Sequence, residues 1–190
     1  LRLREAGTHL VLGLRDVMDD PDVLREEWER KRAHQALDQL YDDIWVFGLR
    51  DFFDPLAGAG VSPDVYERTR FTGYLRSAQP QEGEEEAAPF GGSPFILVTP
   101  GGGGDGHELV DWVMRAYETR SRPLFPALIM LGPFMDAAHQ AEFMARGEQV
   151  RDVKVRRFTA NMEPLLQAAT AVVGVGGYNT FCEILSFDKP

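Results

Sequence analysis

The second half of this 190-residue chain repeats one local pattern: a short apolar run, a turn with glycine or proline, and a stretch with helical spacing. Runs at 95–99, 127–132 and 172–175 are largely apolar, and 153–158 alternates between apolar and basic residues. Strands joined through helices run parallel, and continuous apolar strands are typical of sheets covered on both faces. The pattern therefore predicts an α/β protein with a doubly covered parallel sheet.

The first half shows the same style. Apolar runs at 8–14 and 44–48 predict two strands, and 70–75 predicts a third. Between the first two, Pro21 suits the first turn of a helix, with the preceding aspartate as its cap. Apolar residues at helical spacing extend this helix to about Tyr41. The first half is therefore predicted to be a second Rossmann-like lobe with its own parallel sheet.

A polar, acidic segment containing glycine and proline separates the halves and has almost no apolar periodicity. It predicts a flexible linker or loop at 76–94, between an N-terminal lobe at 1–75 and a C-terminal lobe at 95–190. The first residues resemble the tail of a helix, and the last ones lead toward another strand. We therefore expect this chain to be the middle of a longer protein, with both lobes truncated.

The composition excludes several classes of protein. A net charge of −10, from 20 basic and 30 acidic residues, argues against a nucleic-acid-binding groove. The single cysteine, Cys182, excludes a disulfide within the chain and fits a reducing, cytoplasmic location. No apolar run is long enough to span a bilayer, and nothing else indicates membrane association. The histidines are scattered, at positions 9, 34, 107 and 139, so we expect no metal site.

The segment 172–185 combines a strand, a two-glycine turn and the start of a helix, for which Asn179 or Thr180 is the candidate cap. The N–H groups and the positive dipole end of such a helix bind phosphate. Glu183 lies three residues after Thr180 on the same helix face, where a carboxylate can accept hydrogen bonds from a ribose diol. The segment therefore predicts a nucleotide site. The alternative is a turn without a ligand, common in α/β proteins, with Glu183 as an ordinary solvated acid.

A second glycine-rich loop, at 101–104, also follows a strand and opens a helix, so both loops should meet at one edge of the sheet. Backbone N–H groups of Gly102, Gly103 and Gly104 could bind a diphosphate without a metal or a lysine. The P-loop pattern and a close dinucleotide-binding pattern are both missing from the sequence. The alternative for the glycines is a mobile loop. His107, which follows them, is an acid–base group, a phosphate contact or a surface residue.

Four further positions carry local predictions. Arg15 and Asp16 follow the first apolar run, at the edge where open sheets bind ligands, and they either contact a substrate or clamp the loop. Gly147 is predicted to stop one helix of the second half. Asn161 is predicted to cap the next helix.

The strand–Gly–Gly–x–x–Thr–x–x–Glu pattern, followed by a short helix and Lys-Pro, resembles the nucleotide-sugar motif of glycosyltransferase family 28, which includes the peptidoglycan N-acetylglucosaminyltransferase. The chain as a whole is similar to a bacterial branch of predicted glycosyltransferases. Asp188 stands where many relatives have glycine, and aspartate tolerates the left-handed conformation that glycine favours. The runs that recur in that branch in the same order lie at 12–16, 71–74, 101–106, 132–135 and 176–180.

The resemblance implies the two-lobed GT-B fold, with the donor bound in the C-terminal lobe. Glu183 would hold the ribose diol, and the backbone near Phe158 and Thr159 would face the uracil. Gly73 would mark the crossing between the lobes. The phosphates would lie between the start of the last helix and the first glycine loop, at Gly176, Gly177, Asn179, Thr180, Gly102 and Gly103.

The implied activity is transfer of a sugar, of the hexosyltransferase type, from a nucleotide-diphosphate sugar. The donor is expected to be UDP-linked, such as UDP-N-acetylglucosamine, and the acceptor to be a glycan, a lipid-linked sugar or a small molecule. No cofactor or metal is expected, because the helix start itself stabilises the leaving diphosphate. His107 is the candidate catalytic group. The alternatives are a UDP-sugar 2-epimerase, which shares the fold, and a non-catalytic module that binds a nucleotide-sugar.

Overall fold

The chain forms two compact units, Leu1–Leu75 and Arg76–Pro190, each with its own parallel sheet. Most of the predicted linker, residues 77–88, lies outside the described residues. Of its remainder, Phe90 packs on the core of the second unit, where its ring centroid lies 5.8 Å from that of Phe95. The computed structural model describes residues 6–76, 89–102, 106–122, 124–159 and 161–190.

The first unit has a three-stranded parallel sheet in the order β1-β2-β3. Its strands are β1 (Val11–Arg15), β2 (Asp43–Phe47) and β3 (Thr69–Phe71). Its helices are α1 (Pro21–Arg30), α2 (Ala33–Gln39) and α3 (Pro63–Glu67). All three predicted strands are therefore present, and the third is shorter than predicted.

Side chains of β2 alternate between a covered and an open face of this sheet. Ile44 is fully buried in a core with Leu24 of α1 and Leu37 of α2. Trp45, the next residue, points the other way and is 42% exposed. Because successive side chains of a strand point to opposite faces, this alternation is what packing on one face produces. In this respect the first sheet differs from the second.

The helix predicted from Pro21 to about Tyr41 is broken in two, which corrects the prediction. It begins as expected, because the Asp20 carboxylate accepts a hydrogen bond from the Asp22 N–H at 2.9 Å. The break follows from Arg32, whose φ of 56° is left-handed and incompatible with a right-handed helix. Apolar residues keep their helical spacing across the break, so their pattern gave no sign of it.

The second unit has a four-stranded parallel sheet in the order β6-β5-β4-β7. Its strands are β4 (Ile96–Thr99), β5 (Ala127–Met130), β6 (Val153–Arg156) and β7 (Ala171–Gly174). Its helices are α4 (His107–Thr119), α5 (Ala137–Gln149), α6 (Glu163–Ala168) and α7 (Tyr178–Ser186). The alternation of strand and helix confirms the prediction for this half. Of the helices described, none has the length and apolar content needed to cross a membrane.

Both faces of the second sheet are buried, as predicted. Val98 of β4 belongs to a core that includes Phe143 of α5. Leu97, its neighbour in the strand, belongs to a separate core with Leu165 of α6. Consecutive residues therefore enter two different cores, which is why this strand is apolar throughout.

The strand order of the second sheet reverses between β4 and β7. From β4 the chain moves outward to β5 and β6, and then returns to place β7 on the other side of β4. In open α/β sheets, a crevice forms outside the carboxyl ends of the strands at such a switch point. The carboxyl edge of the second sheet, at β4 and β7, is therefore the candidate position for a ligand.

Two backbone positions near the ends of helices bear on the predictions. Gly147 does not stop α5 but lies inside it. A Cβ at this position would lie only 2.4 Å from Cγ2 of Val155, so the glycine is needed for close packing of α5 on β6. Asp188 has a φ of 50°, the left-handed conformation that the sequence suggested there.

Candidate functional site

A cavity of about 180 Å³ opens at the carboxyl edge of the second sheet, where the strand order reverses. The loops after β4, β5 and β6 and the helix after β7 contribute residues to it. Its volume is below the range of roughly 300–1,000 Å³ typical of ligand pockets, so the cavity fits part of a larger ligand. Six of the predicted binding residues line it: Gly102, Phe158, Thr159, Asn179, Thr180 and Glu183.

One wall of the cavity consists of the glycine loop after β4 and the first turn of α7. Gly101 has a φ of +71°, and a Cβ added there would lie 3.6 Å from Oγ1 of Thr180. Gly101 therefore lies close to the first turn of α7, because β4 and β7 are neighbours in the sheet. Gly102 lines the cavity beside them. Gly103 and Gly104 lie outside the described residues.

Helix α7 begins at Tyr178 with Gly177 in the N-cap position, and no side chain caps it. The prediction that Asn179 or Thr180 is the cap is therefore wrong, because both residues lie within the first turn. The N–H groups of a first turn have no partner inside the helix, and the helix dipole makes this end positive. Gly176 and Gly177 are exposed and lead into the helix without lining the cavity.

Glu183 follows on α7, lines the same cavity and is half-buried. Its pKa is raised from the ordinary value because burial disfavours the charged form, and the carboxylate of Glu163 adds repulsion. Both influences make the ionised side chain unfavourable for the fold. A carboxyl group with a raised pKa in a cleft is a candidate for binding or catalysis, because a hydrogen-bond donor on a ligand can offset this cost.

The loop after β6 contributes to the other end of the cavity. The Phe158 side chain is 57% exposed, and Thr159 Oγ1 accepts a hydrogen bond from the Asn161 N–H at 3.2 Å. This local bond restrains the loop. Asn161 is not the cap of α6, contrary to the prediction. Met162 occupies that position, because α6 starts at Glu163, and no side-chain hydrogen bond caps the helix.

His107 does not line the cavity. Its ring stacks on that of His139 with 4.6 Å between centroids, where the first turns of α4 and α5 meet. His139 also pairs with Asp136, whose carboxylate caps α5. The structure therefore places His107 in a contact between two helices and does not bring it together with the predicted binding residues that line the cavity.

Arg15 and Asp16 lie in the first unit, at the end of β1. Asp16 is only 3% exposed, and its carboxylate accepts hydrogen bonds from the Tyr74 hydroxyl at 2.6 Å and from the Val17 N–H at 2.7 Å. A Cβ at Gly48 would lie 2.4 Å from the Asp16 Cβ. These contacts favour the loop clamp over substrate contact as the role of Asp16.

Sequence reasoning missed the middle of the cavity. Thr99, Met130 at the end of β5, and the loop at 131–133 line it but are not among the predicted site residues. Gly132 and Pro133 directly follow an apolar strand, which is a signal of a loop at the ligand-binding edge. The position of this loop between the others depends on the sheet order, which places β5 between β4 and β6.

We expect Glu183→Gln to stabilise the protein at about pH 7.5. A raised folded-state pKa means that the folded protein holds this proton more tightly than the unfolded chain. The free energy of unfolding therefore falls as the pH rises from the ordinary pKa through the raised one. Glutamine has no charge to bury, so the variant avoids this loss of stability. Its melting temperature should exceed that of wild-type protein at pH 7.5, and the difference should disappear below about pH 4. A loss at neutral pH would contradict the argument, and Glu148→Gln, at an exposed position, is the control.

No protein-family model matches this sequence, and no curated protein matches it. Among solved structures, the glycotransferase of kitacinnamycin matches 100% of the chain at 15% identity, with a TM-score of 0.57. The chain spans only 52% of the length of that protein. MurG of Acinetobacter baumannii matches 93% of the chain and 74% of its own length, at 10% identity and a TM-score of 0.43. The first similarity establishes a shared fold, and the chain has the predicted α/β, GT-B-like architecture with two parallel sheets.

Proposed function

We propose that this protein is a glycosyltransferase whose donor is a nucleotide-diphosphate sugar, UDP-linked, such as UDP-N-acetylglucosamine. One observation carries the proposal. The glycine loop after β4, the start of α7 with Glu183, and the loop after β6 all line a single cavity at the switch point of the second sheet. These are the three types of group that a nucleotide diphosphate requires: donors for phosphate, an acceptor for ribose and a wall for the base.

The diphosphate is proposed to bind between the glycine loop and α7. Backbone N–H groups of the first turn of α7, including that of Asn179, donate to phosphate oxygens, and the dipole of this nine-residue helix attracts negative charge. The Thr180 hydroxyl, which faces Gly101, is a further donor. Gly102 lines the same wall, where a larger side chain would occupy ligand space. Gly176 and Gly177 precede the helix, and neither has the positive φ that favours glycine.

The nucleoside is proposed to extend from there toward the loop after β6. Glu183 accepts hydrogen bonds from the ribose hydroxyl groups, and this contact accounts for keeping a carboxylate where burial raises its pKa. The backbone near Phe158 and Thr159 then faces the edge of the base. Backbone N–H and C=O groups can pair with the donor and acceptor atoms of uracil.

In the proposed reaction, an acceptor oxygen attacks the anomeric carbon of the sugar. The bond between that carbon and the β-phosphate oxygen breaks, and the proton of the acceptor hydroxyl passes to a general base. Negative charge grows on the departing diphosphate, where the first turn of α7 and the glycine loop stabilise it electrostatically. The described residues therefore hold the donor and stabilise the leaving group, and we propose that they do so without a bound metal.

Calorimetric titration of the protein with UDP, GDP, dTDP and ADP, in buffer containing EDTA, tests the proposal. We expect UDP to bind most tightly of the four, with the same affinity in buffer with and without EDTA. UDP-sugars and candidate acceptors would then be assayed for sugar transfer. Release of a free epimerised sugar would indicate a 2-epimerase instead, and binding without turnover would indicate a nucleotide-sugar-binding module. A protein that binds none of the four nucleotides would contradict the proposed donor site.

A further inference from the structure

Phe134 is the most exposed large apolar side chain among the described residues, with 77% of its surface accessible. It lies in the loop between β5 and α5, next to Pro133, which lines the cavity. Burial of a phenylalanine side chain is favourable, so exposing this ring forgoes that stabilisation. Beside a cavity, such a ring offers a flat apolar face that a ligand can pack against.

The backbone conformation of this loop holds the ring in solvent. The Met135 N–H donates to the Gly132 carbonyl at 3.2 Å, closing a four-residue turn with Pro133 in the second position, where the fixed φ of proline is favoured. Leu131 and Met135, on either side, are buried at 1% and 4% exposure and anchor the turn in the core. Phe134 is thus presented by a fixed turn.

The ring of Phe134 lies beside the glycine loop. A Cβ added to Gly102 would meet the Cδ2 and Cε2 atoms of the ring at 3.8 Å, an ordinary packing distance. The strand order β6-β5-β4 places this loop between the proposed diphosphate wall, after β4, and the proposed base wall, after β6. Neighbouring strands lie about 4.8 Å apart, so a nucleotide that reaches from one wall to the other must cross the end of β5.

We propose that Phe134 is a binding residue of the donor site, whose ring packs against the flat face of the nucleobase. This inference rests on the proposed function and adds a contact beside the cavity, next to Pro133 and Gly102. Stacking uses the π-face that every base has, so it raises the affinity for all nucleotides and leaves the choice of base to the hydrogen-bonding loop after β6. Phe134 would accordingly contribute to the affinity for any nucleotide, and the backbone near Phe158 to the choice of base.

The test is calorimetric binding of UDP, ADP and inorganic pyrophosphate to Phe134→Ala, Phe134→Trp and wild-type protein. We expect the alanine variant to bind UDP and ADP roughly tenfold more weakly and pyrophosphate unchanged, because only the base loses a contact. The tryptophan variant should retain UDP affinity, and its added fluorescence should change with UDP and not with pyrophosphate. Phe125→Ala is the matched control, since Phe125 is 54% exposed and precedes the opposite end of β5.

The outcomes separate this inference from the proposed function. If wild-type protein binds UDP and Phe134→Ala binds it equally well, the stacking contact is wrong and the donor site stands. An equal loss of affinity for UDP and pyrophosphate would also overturn the contact, because it would place the ring against the phosphates. If wild-type protein binds no nucleotide, the proposed function fails and the stacking inference fails with it. Circular dichroism should give Phe134→Ala and Phe134→Trp the melting temperature of wild-type protein, because the ring of Phe134 is outside the core.

Discussion

Replacing Gly101 by aspartate is expected to reduce nucleotide-diphosphate binding more than about 100-fold. The new carboxylate would lie beside Thr180, in the wall proposed to hold the diphosphate, because a Cβ at Gly101 is already 3.6 Å from Thr180 Oγ1. Two unit charges about 4 Å apart repel by roughly 4 kcal/mol at the effective dielectric of a protein surface, and the ligand carries more than one charge. Titration calorimetry with UDP measures the loss.

Two matched variants separate charge from backbone strain and size. Gly101→Asn has nearly the same shape without the charge, and asparagine and aspartate both tolerate the positive φ of +71° found there. It should lose much less affinity than the aspartate variant. Gly92→Asp makes the same substitution at an exposed glycine with a φ of +84° and no atom within 4 Å of the new Cβ. Equal losses of UDP affinity for Gly101→Asp and Gly101→Asn would refute the electrostatic argument. If both variants retain wild-type affinity, the diphosphate does not bind at this loop.

Glu183→Ala should weaken UDP binding by about 1–3 kcal/mol, the scale of lost hydrogen bonds to a charged acceptor. This corresponds to a change in dissociation constant of roughly 5-fold to 150-fold. The side chain lines the cavity, and its proposed partner is the ribose diol. Calorimetry measures the change, and Glu148→Ala, on the exposed side of α5, is the control.

Deoxynucleotides locate the lost contact more sharply. Wild-type protein should bind 2′-deoxy-UDP more weakly than UDP, whereas Glu183→Ala should bind the two alike, because its partner for the hydroxyl group is gone. This comparison is a double-mutant cycle with one change in the ligand. Unchanged UDP affinity in a folded Glu183→Ala variant, or an undiminished preference for UDP over the deoxynucleotide, would refute the ribose assignment.

The raised pKa of Glu183 adds a pH dependence to the same experiment. The carboxylate form is the one that accepts hydrogen bonds, so UDP affinity should rise with pH through the range of the raised pKa. The stability of the protein should move the other way over that range. A residue that lowers the stability of the fold and raises ligand affinity is one kept for function, and the two measurements together test that assignment.

Local features of the fold were predictable where one physical factor dominates. The central strands of the second unit are apolar throughout because their side chains enter one core on each face of the sheet. Their position and their burial could therefore both be predicted from the sequence. Asp20 before Pro21 gave the start of α1 correctly, because capping depends on adjacent residues. Ends of helices were predicted less well. The break at Arg32 is a backbone conformation without a sequence signal, and Gly147 sits inside α5 because of its contact with Val155, eight residues away.

The sequence by itself determined the α/β class, the parallel sheets and the positions of the glycine loops along the chain, since these depend on apolar spacing and on residues close in the chain. Only the tertiary structure decided which loops meet. The sheet order β6-β5-β4-β7 places the glycine loop beside α7, positions the loop after β5 between the two ends of the cavity, and leaves His107 outside it. Strand order is set by packing between distant residues, whereas spacing along the chain reports only on neighbours. That is why the place of Glu183 near the start of α7 could be predicted from its motif, whereas the place of Phe134 beside Gly102 could not.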